Sequence, residues 1–471
     1  MNNKRRVLSA VALLLAISLS QPLFGQKKSA ASDSIKIPFE TYKLSNGLTV
    51  ILSEDHTTPT VAVDIWYHVG SKNEMPGRTG FAHLFEHVMF TGSGHVPYGL
   101  HDKLTEGVGG GNNGSTNNDR TNYYETIPSN YLESALWLES DRMGFLLDKL
   151  DIAKLNAQRD VVKNERRWSV DNQPYGTWWE KLPALTFPPQ HPFHHSLIGS
   201  MEDLSAASLE DISHFFATYY TPDNAVLSIA GDFDPADARR LVEEYYGPIP
   251  RGVGRPSLPP MEVPPTFGEW RREVVSDAVM LPRLYLAFRS PVFGSDGYYA
   301  ASVCGAILGM RRGSRLQRAL VRERQIAADA TAFTFDLPKG SDLLVVDVTA
   351  RPGIDGETLE REVAKEIDLL QAVGVTDAEV ERAVALIETD FVTSMQAAGE
   401  RADKLSMFAT YFGDPSLVNV QADRYRAVTV EQVNAFARSR LGADNRASLL
   451  YVPRDAAVGA PTRELAEAGA S

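Results

Sequence analysis

The chain has 471 residues, enough for two to four domains, and its content of 43% hydrophobic and 23% charged residues is that of a globular protein. Its 47 Lys and Arg against 60 Asp and Glu give a net charge of −13, which disfavours nucleic-acid binding. Cys304 is the single cysteine, so an internal disulfide and a cysteine-rich metal site are excluded, and a bound metal must use histidines and carboxylates.

The N-terminus has the layout of a secretory signal peptide. Three basic residues precede an apolar run over residues 7–19, which small and turn-favouring residues follow as far as Gly25. We expect residues 1–25 to be a cleaved signal peptide and residues 26–36 a disordered leader. The run is short for a bilayer span, although an uncleaved anchor is the alternative. We therefore expect a periplasmic or secreted protein without a stable membrane span.

Three predicted strands follow the leader. Asn46-Gly47 favours a tight hairpin turn because it accommodates positive φ, and it lies between the segments over residues 41–44 and 48–52. Residues 60–69 alternate between apolar and polar side chains and predict a third strand.

The next segment contains a metal-binding pattern. His83 and His87 are four residues apart, so on a helix both imidazoles lie on one face, with Glu86 beside them. Catalytic zinc uses three protein ligands and leaves a position for water, whose proton a neighbouring carboxylate can accept. His-x-x-Glu-His is the inverted form of a zinc-peptidase motif. Since two exposed histidines also occur on helices by chance, a third ligand is needed.

A glycine-rich segment follows over residues 107–128. Three consecutive glycines and then short polar residues predict a strand edge with little side-chain bulk. An extended peptide could add to such an edge as a further strand, with its main chain satisfying the edge. A plain surface loop is the alternative.

The predicted helix over residues 153–168 supplies a candidate third ligand. Four side chains fall on one stripe by a 3, 4, 3 spacing: Leu155, Gln158, Val162 and Glu165. A carboxylate at the end of an inward-facing stripe needs a partner, because a buried unpaired carboxylate is strongly unfavourable. Zinc would supply that partner for Glu165, while a solvated or salt-bridged glutamate is the alternative.

Three further histidines, His191, His194 and His195, lie beside Pro189 and Pro192. Their spacing lacks a companion acid, and the prolines favour a loop. We therefore predict a surface loop, with an exchangeable zinc-handling loop as the alternative.

The chain contains an internal repeat. Residues 208–229 align without gaps with residues 429–450, and each copy predicts a capped amphipathic helix, an Asp-Asn turn and a strand. Between the copies, seven prolines within residues 248–265 exclude a helix or a central strand and predict a linker.

The remaining elements mix strands and helices. Strands are predicted over residues 283–289 and 342–349, and long helices over residues 130–147, 357–370 and 377–395. Hairpins imply antiparallel pairing, so the predicted fold class is α+β, with two tandem homologous domains, each a mostly antiparallel sheet with helices packed on it. We place the domains and flanking segments as follows: residues 37–247, a linker over 248–266, residues 267–455, and a flexible tail over 456–471.

The second half lacks the residues of a metal site. All ten histidines lie at or before His214, and the predicted helix over residues 298–308 contains neither histidine nor acid. We therefore expect one metal ion per chain. Cys304, within an apolar run, is predicted to pack in the core. Arg311, Arg312 and Arg315 are predicted to be solvated or to form salt bridges.

Together, the Asn46-Gly47 hairpin, the His-x-x-Glu-His helix, the glycine-rich segment and the Gln158 helix resemble the pitrilysin/insulinase family of zinc peptidases. The half-length bacterial members, similar to the β subunit of mitochondrial processing peptidase, resemble the chain most. The spacing of 77 residues between His87 and Glu165 matches the distal ligand of that family. The resemblance implies that one Zn²⁺ is bound by His83, His87 and Glu165, and that Glu86 is the general base. It also implies a set of substrate-strand positions: Asn112, Asn113, Gly114 and Thr116. At Gly114 the family usually has an alanine.

Two departures from the family pattern bear on activity. The family often has a glutamate where this chain has Gln158, which we expect to support the ligands through hydrogen bonds without a charge. Full-length members hold substrate with an Arg and a Tyr in the second half, but the matching residues here are Val321 and Ala328, whose side chains donate no hydrogen bond. The resemblance therefore implies a homologous partner subunit that supplies this pair in a heterodimer, with a homodimer as the alternative.

The resulting expectation is an exported zinc metalloendopeptidase that hydrolyses unfolded peptides. Its first domain would be the catalytic zinc domain and its second a non-catalytic homologous domain. The alternative is a non-catalytic assembly or binding subunit with a peptidase fold.

Overall fold

The computed structural model describes residues 36–454, which belong to one compact unit. The expected signal peptide, nearly all of the expected leader and the expected tail lie outside the described residues. Among the helices of the described part, none combines the length and the apolar character that crossing a bilayer requires.

The first half forms a six-stranded sheet. Its strands are β1 (Glu40–Lys43), β2 (Thr49–Glu54), β3 (Thr60–Tyr67), β4 (Gly111–Thr116), β5 (Thr121–Pro128) and β6 (Ala225–Gly231). Its helices are α1 (Phe81–Val88), α2 (Leu100–Glu106), α3 (Leu132–Phe145), α4 (Ile152–Arg166), α5 (Trp178–Thr186), α6 (Met201–Ala206), α7 (Leu209–Tyr219) and α8 (Pro235–Tyr246). The strand order is β1-β2-β6-β3-β5-β4, so β4 is an edge strand.

The second half forms a five-stranded sheet. Its strands are β7 (Arg271–Asp277), β8 (Arg283–Ser290), β9 (Ala327–Thr334), β10 (Asp342–Ala350) and β11 (Ala447–Pro453), in the order β7-β11-β8-β10-β9. Its helices are α9 (Asp296–Gly309), α10 (Gly356–Val373), α11 (Asp377–Ser394), α12 (Ala398–Phe412), α13 (Gln421–Arg426) and α14 (Val430–Arg440). Each strand and long helix named from the sequence lies at its predicted position.

The predicted hairpin joins β1 and β2. The two strands pair antiparallel with Lys43 opposite Thr49, and Gly47 in the turn has φ of 99°, a conformation that favours glycine. The Asn46 amide donates to the carbonyls of Tyr246 and Ile249 at 2.7 and 2.9 Å, which ties the turn to the end of α8.

The two halves repeat one topology. In each sheet one parallel pair, β2 with β6 or β7 with β11, is followed by three antiparallel pairings. The repeat extends to single hydrogen bonds, because the amides of Asn224 and Asn445 donate to the carbonyls of Tyr219 and Arg440 at 2.8 and 2.7 Å. Both repeated helices, α7 and α14, also begin with a capping box. The predicted fold class of two tandem homologous α+β domains is confirmed.

Each half covers one face of the other half's sheet with a helix. Helix α5 packs on β8 and β11, where the Trp178 ring stacks on Tyr285 at 4.6 Å. The equivalent α12 packs on β3 and β6, where Ser406 and Ser228 form a hydrogen bond of 2.8 Å. Both sheets are therefore covered on two faces. Their central strands require this, because they carry apolar side chains on both faces. Residues 247–270 between the halves form neither helix nor strand.

The second-half groups behave as the sequence predicts. Cys304 is fully buried in α9, and burial raises the pKa of its thiol to about 12. Arg315 forms an ion pair with Glu379 at 2.7 Å, and Arg311 forms one with Asp390 at the same distance.

Candidate metal centre

The two histidines lie on helix α1, whose apolar side is fixed in the first core. The buried side chains of this helix are Phe81, Ala82, Leu84, Phe85 and Val88. Phe85 contacts the rings of Tyr220 and Phe216, with centroids 4.3 and 5.6 Å away. Because this face is held against the core, His83, Glu86 and His87 project together from the opposite side.

The start of α1 is fixed by a buried carboxylate that the sequence analysis missed. The oxygens of Glu74 accept hydrogen bonds from the backbone N–H groups of Gly80 and Ala82 at 3.0 and 2.8 Å. Gly80 has φ of 84°, and a Cβ there would lie 2.5 Å from the carbonyl oxygen of Ile198. The signal available in the sequence was an acid shortly before the helix start, where it satisfies free N–H groups and the helix dipole.

Glu165 lies at the end of helix α4. On this helix Leu155 and Val162 are fully buried, which confirms the inward-facing stripe. Directly after Arg166 the chain continues as a π-helix over Arg167–Asp171, an irregularity that is frequent at functional sites. Arg166 forms an ion pair with Glu180 and donates to the Gly199 carbonyl at 2.8 Å, so the end of α4 is held in place.

His83, His87 and Glu165, here called the His83 cluster, converge in space. The two Nε2 atoms are 3.3 Å apart, and they lie 3.6 and 3.1 Å from the two oxygens of Glu165, respectively. One ligand atom from each residue lies within 4.8 Å of the others, which permits binding of one ion. The Glu165 side chain is 35% exposed and that of His83 is 12% exposed, so the cluster is open to solvent on the glutamate side.

The protonation states of His83 and Glu165 are those that metal binding requires. Burial lowers the pKa of His83 to about 4, so its imidazole is neutral at pH 7. Burial raises the pKa of Glu165, but the hydrogen bond from His87 and the electrostatic interaction with His83 outweigh it, and the net pKa is lowered. The donor set is thus two imidazoles and a carboxylate.

Glu86 lies beside the cluster and is held by a hydroxyl. Thr116 Oγ1 donates to Glu86 Oε2 at 2.6 Å. Burial raises the pKa of the Glu86 carboxyl, and the Thr116 hydrogen bond opposes this shift. The structure therefore places Thr116, a predicted substrate-strand residue, in hydrogen-bond contact with Glu86, the predicted general base.

The other substrate-strand positions lie along β4, whose outer edge is unpaired within the described part of the chain. Asn112 donates to Thr105 Oγ1 at 2.6 Å and Asn113 is exposed. Gly114 is buried, and a Cβ added there would lie 3.1 Å from Cγ of Glu86. The edge thus has little bulk where it passes Glu86, and the surface-loop alternative is wrong for this segment.

Gln158 is half-buried on the ligand-bearing stripe of α4. Its amide makes no hydrogen bond to any residue within 36–454, so the structure does not bring it onto the ligands. In the second half, Val321 packs against the core and Ala328 is exposed on β9.

Comparison with known proteins identifies the family. A model described as Insulinase (Peptidase family M16) matches residues 49–190, and one described as Peptidase M16 inactive domain matches residues 206–387. The chain belongs to peptidase family M16. The first match contains the His-x-x-Glu-His helix, and the second contains most of the second half.

Similar M16 proteins include zinc proteases. The zinc protease PqqE of Helicobacter pylori is 29% identical over 375 residues, which cover 79% of this chain and 83% of that protein. The crystal structure of a protease from Helicobacter pylori has a TM-score of 0.83 at 26% identity and covers 89% of this chain and 100% of its own. The mitochondrial-processing peptidase subunit beta of Lentinula edodes is 27% identical over 275 residues, 58% of each chain.

This M16 chain carries a second group of similar donors in its core. His101, Glu125 and Glu139 also place one ligand atom each within 4.8 Å of the others. Here, however, Arg142 forms an ion pair with Glu139, and its Nη2 lies 3.3 Å from His101 Nε2. We call these four residues the Arg142 cluster.

The expected surface loop around His191 is wrong for this residue. His191 is buried, with Nε2 2.9 Å from the Met261 carbonyl and its ring stacked on Phe187 at 4.6 Å. His191 is buried because the segment around it helps to close the apolar cluster beneath the second sheet. Within residues 36–454, none of the three neighbouring histidines belongs to a group that could hold a metal.

Proposed function

We propose that the chain is an exported zinc metalloendopeptidase that hydrolyses unfolded peptides. The observation that carries the proposal is the convergence of His83, His87 and Glu165 within 4.8 Å, with Glu86 beside them. The zinc proteases similar to this chain support the same function.

The residues present fit a zinc ion. Two imidazoles and a carboxylate are a donor set that catalytic zinc uses. No Lys or Arg of the described chain forms an ion pair with Glu165, so no protein cation occupies the space between the three donors. Bound there, zinc would supply Lewis-acid chemistry for peptide hydrolysis.

Glu86 is proposed to accept and transfer the proton. The hydroxyl of Thr116 fixes Oε2, while Oε1 receives no hydrogen bond from residues 36–454 and can take a proton from water. The raised pKa of the Glu86 carboxyl suits a group that must take up a proton and then release it to the leaving amine.

The substrate is proposed to add to the free edge of β4. Its main chain would pair with the backbone of Asn112, Asn113, Gly114 and Thr116 as a seventh strand of the first sheet. Only an extended segment can pair in this way, which supports unfolded peptides as substrates. The absence of side-chain bulk at Gly114 brings the added strand close to Glu86.

A homologous partner subunit is proposed to complete the site. Val321 is half-buried and Ala328 carries only a methyl group, so neither can hold substrate by hydrogen bonds. The similar mitochondrial protein is itself named as a subunit. We further propose a periplasmic or secreted location and the first half as the zinc domain.

Peptide hydrolysis and metal analysis test the proposed function. Purified chain should contain about one zinc, and a chelator should abolish cleavage of an unfolded peptide. Glu86→Gln should retain the zinc while kcat falls by about 100- to 10,000-fold. Glu106→Gln, at an exposed position on α2, is the matched control and should change neither quantity.

The outcomes separate enzyme from assembly subunit. A chain without zinc and without cleavage would contradict the enzyme and support a non-catalytic subunit. Full activity of the isolated monomer would contradict the partner requirement, whereas activity that appears only on adding a homologous subunit would support it.

A further inference from the structure

A cavity of about 420 Å³ opens beside the proposed metal centre. His83, Glu165 and Thr116 form one wall. The other walls are mostly apolar and include Trp179, Pro183, Phe187, Phe335, Leu337 and Leu343. Its volume lies within the range of about 300–1,000 Å³ that is usual for ligand sites.

Both halves of the chain build this cavity. Trp179 belongs to α5, which packs on the second sheet, and its ring meets the edge of Phe335 with centroids 5.6 Å apart. The backbone N–H of Phe335 donates to the Leu343 carbonyl at 3.1 Å, which fixes the second-half wall. The walls are therefore preformed by the packing that joins the halves.

The acidic groups that line the cavity already have partners. Asp336 accepts hydrogen bonds from Tyr298 and Thr334 at 2.6 and 2.7 Å. Asp119 forms an ion pair with Lys72 at 2.5 Å, and Glu180 forms one with Arg166. The surface that remains for a ligand is mainly aromatic and aliphatic, which disfavours charged side chains.

The strand direction decides which substrate residue reaches the cavity. Strand β4 runs from Gly111 to Thr116, and the cavity lies at its Thr116 end. A peptide that adds antiparallel, as β4 itself adds to β5, runs the opposite way. Its residues on the N-terminal side of the bond next to Glu86 then lie at the cavity.

We propose that this cavity binds a large apolar or aromatic substrate side chain on the N-terminal side of the cleaved bond, at the residue that contributes the carbonyl. The proposal rests on the proposed peptidase function and adds the substrate class. Replacing that substrate residue by Ala should lower kcat/KM by about 10- to 100-fold, because the apolar contact surface is lost.

Quenched fluorescent peptides test the proposal on the native chain, with the homologous subunit added if cleavage requires it. The peptides are identical except for Phe, Leu, Ala or Asp at the tested position, and mass spectrometry maps the bond that is cleaved. We expect the order Phe and Leu, then Ala, then Asp. Trp179→Ala should reduce the Phe-to-Ala ratio of kcat/KM by about tenfold.

Trp270→Ala is the matched control, because Trp270 is exposed to a similar degree as Trp179, 53% against 55%, and does not line the cavity. It should leave the ratio unchanged. Cleavage with a Phe-to-Ala ratio below threefold, or a preference on the C-terminal side of the bond, would overturn the cavity assignment and leave the peptidase function standing. Failure of the native chain to cleave any peptide, with its subunit present, would overturn both.

Discussion

Two clusters with similar donors lie on the face of the first sheet that α1, α2 and α3 cover, and they differ in what occupies the space between those donors. The His83 cluster is partly open to solvent and contains no Lys or Arg. In the Arg142 cluster, Glu125 and Glu139 are fully buried and a guanidinium lies among the donors. Converging histidines and carboxylates thus make a candidate metal centre only where the protein does not supply its own cation.

The Arg142 guanidinium is enclosed by aromatic rings as well as acids. It lies over the rings of Tyr123 and Phe90, 4.4 and 5.0 Å from their centroids. Both oxygens of Glu125 are buried without a hydrogen-bond partner in the described chain, so the charge of Arg142 is their main compensation. Removing the arginine would leave buried acids uncompensated.

The largest expected effect follows from that removal. Arg142→Met should lower the free energy of unfolding by about 3–5 kcal/mol, since it breaks a buried ion pair by deleting one partner. Urea denaturation measures this change. Arg322→Met, at an exposed position, is the control and should change stability by less than about 0.5 kcal/mol. A loss below about 1 kcal/mol for Arg142→Met would show that Arg142 does not neutralise the cluster.

Removing a donor from each cluster should separate them by metal affinity. Mutating residues that only hydrogen-bond to a metal's ligands lowers metal affinity by about 10- to 100-fold. Glu165→Gln removes a proposed ligand itself, so it should weaken zinc binding by more than about 100-fold. Glu125→Gln makes the same chemical change in the Arg142 cluster and should leave the affinity unchanged. Competition with a zinc-binding dye measures both. Two zinc ions per native chain, or weaker binding in Glu125→Gln, would mean that the second cluster also holds metal.

The pH dependence of stability should have opposite signs for the two acids of the Arg142 cluster. Burial, and next the charge of Glu139, raises the pKa of Glu125 well above 4.5. Burial also opposes ionisation of Glu139, but Arg142 outweighs it and lowers the pKa of Glu139 below 4.5. The stability that Glu125 contributes is therefore present below pH 4.5 and lost as pH rises through its folded pKa. The contribution of Glu139 is present above pH 4.5 and lost in acid.

Urea denaturation from about pH 3.5 to pH 8 checks these signs. As pH rises, native stability minus that of Glu125→Gln should fall, and native stability minus that of Glu139→Gln should rise. Parallel curves for the two variants would contradict the assigned protonation states. Burial also lowers the pKa of the His101 imidazole, so His101 adds a loss of stability below about pH 6.5 to the native curve.

The two clusters also show how far sequence reasoning reaches. His83 and His87 are neighbours on one helix, so their four-residue spacing was enough to predict that they meet. Glu165 is separated from His87 by 77 residues, and its place depended on the inward-facing stripe and the family resemblance. The Arg142 cluster had no comparable signal, because its donors come from α2, β5 and α3 and meet only through tertiary packing.

The same limit applies to the packing between the halves. Strand periodicity predicted both sheets and their apolar faces, but it does not say which helix covers a face. Helix α5 of the first half covers the second sheet, and α12 of the second half covers the first sheet. This pairing follows from the three-dimensional arrangement of the halves. The cavity wall formed by Trp179 and Phe335 was therefore invisible to periodicity.

The smallest expected effect lies between the clusters, at Gly114. A Cβ there would meet Glu86 at 3.1 Å and the rings of Phe90 and Tyr123 at 3.2 Å, and the same two rings flank Arg142. Gly114→Ala at ordinary φ gains about 0.4–1 kcal/mol from the unfolded state, which the tight contacts offset, so stability should change by less than about 1 kcal/mol. Because Glu86 must shift by a few tenths of an ångström, kcat should fall several-fold while zinc content stays constant. Gly111→Ala on the same strand, where a Cβ meets nothing within 4 Å, is the control. An equal fall in kcat for both variants would trace the effect to the strand edge and not to Glu86.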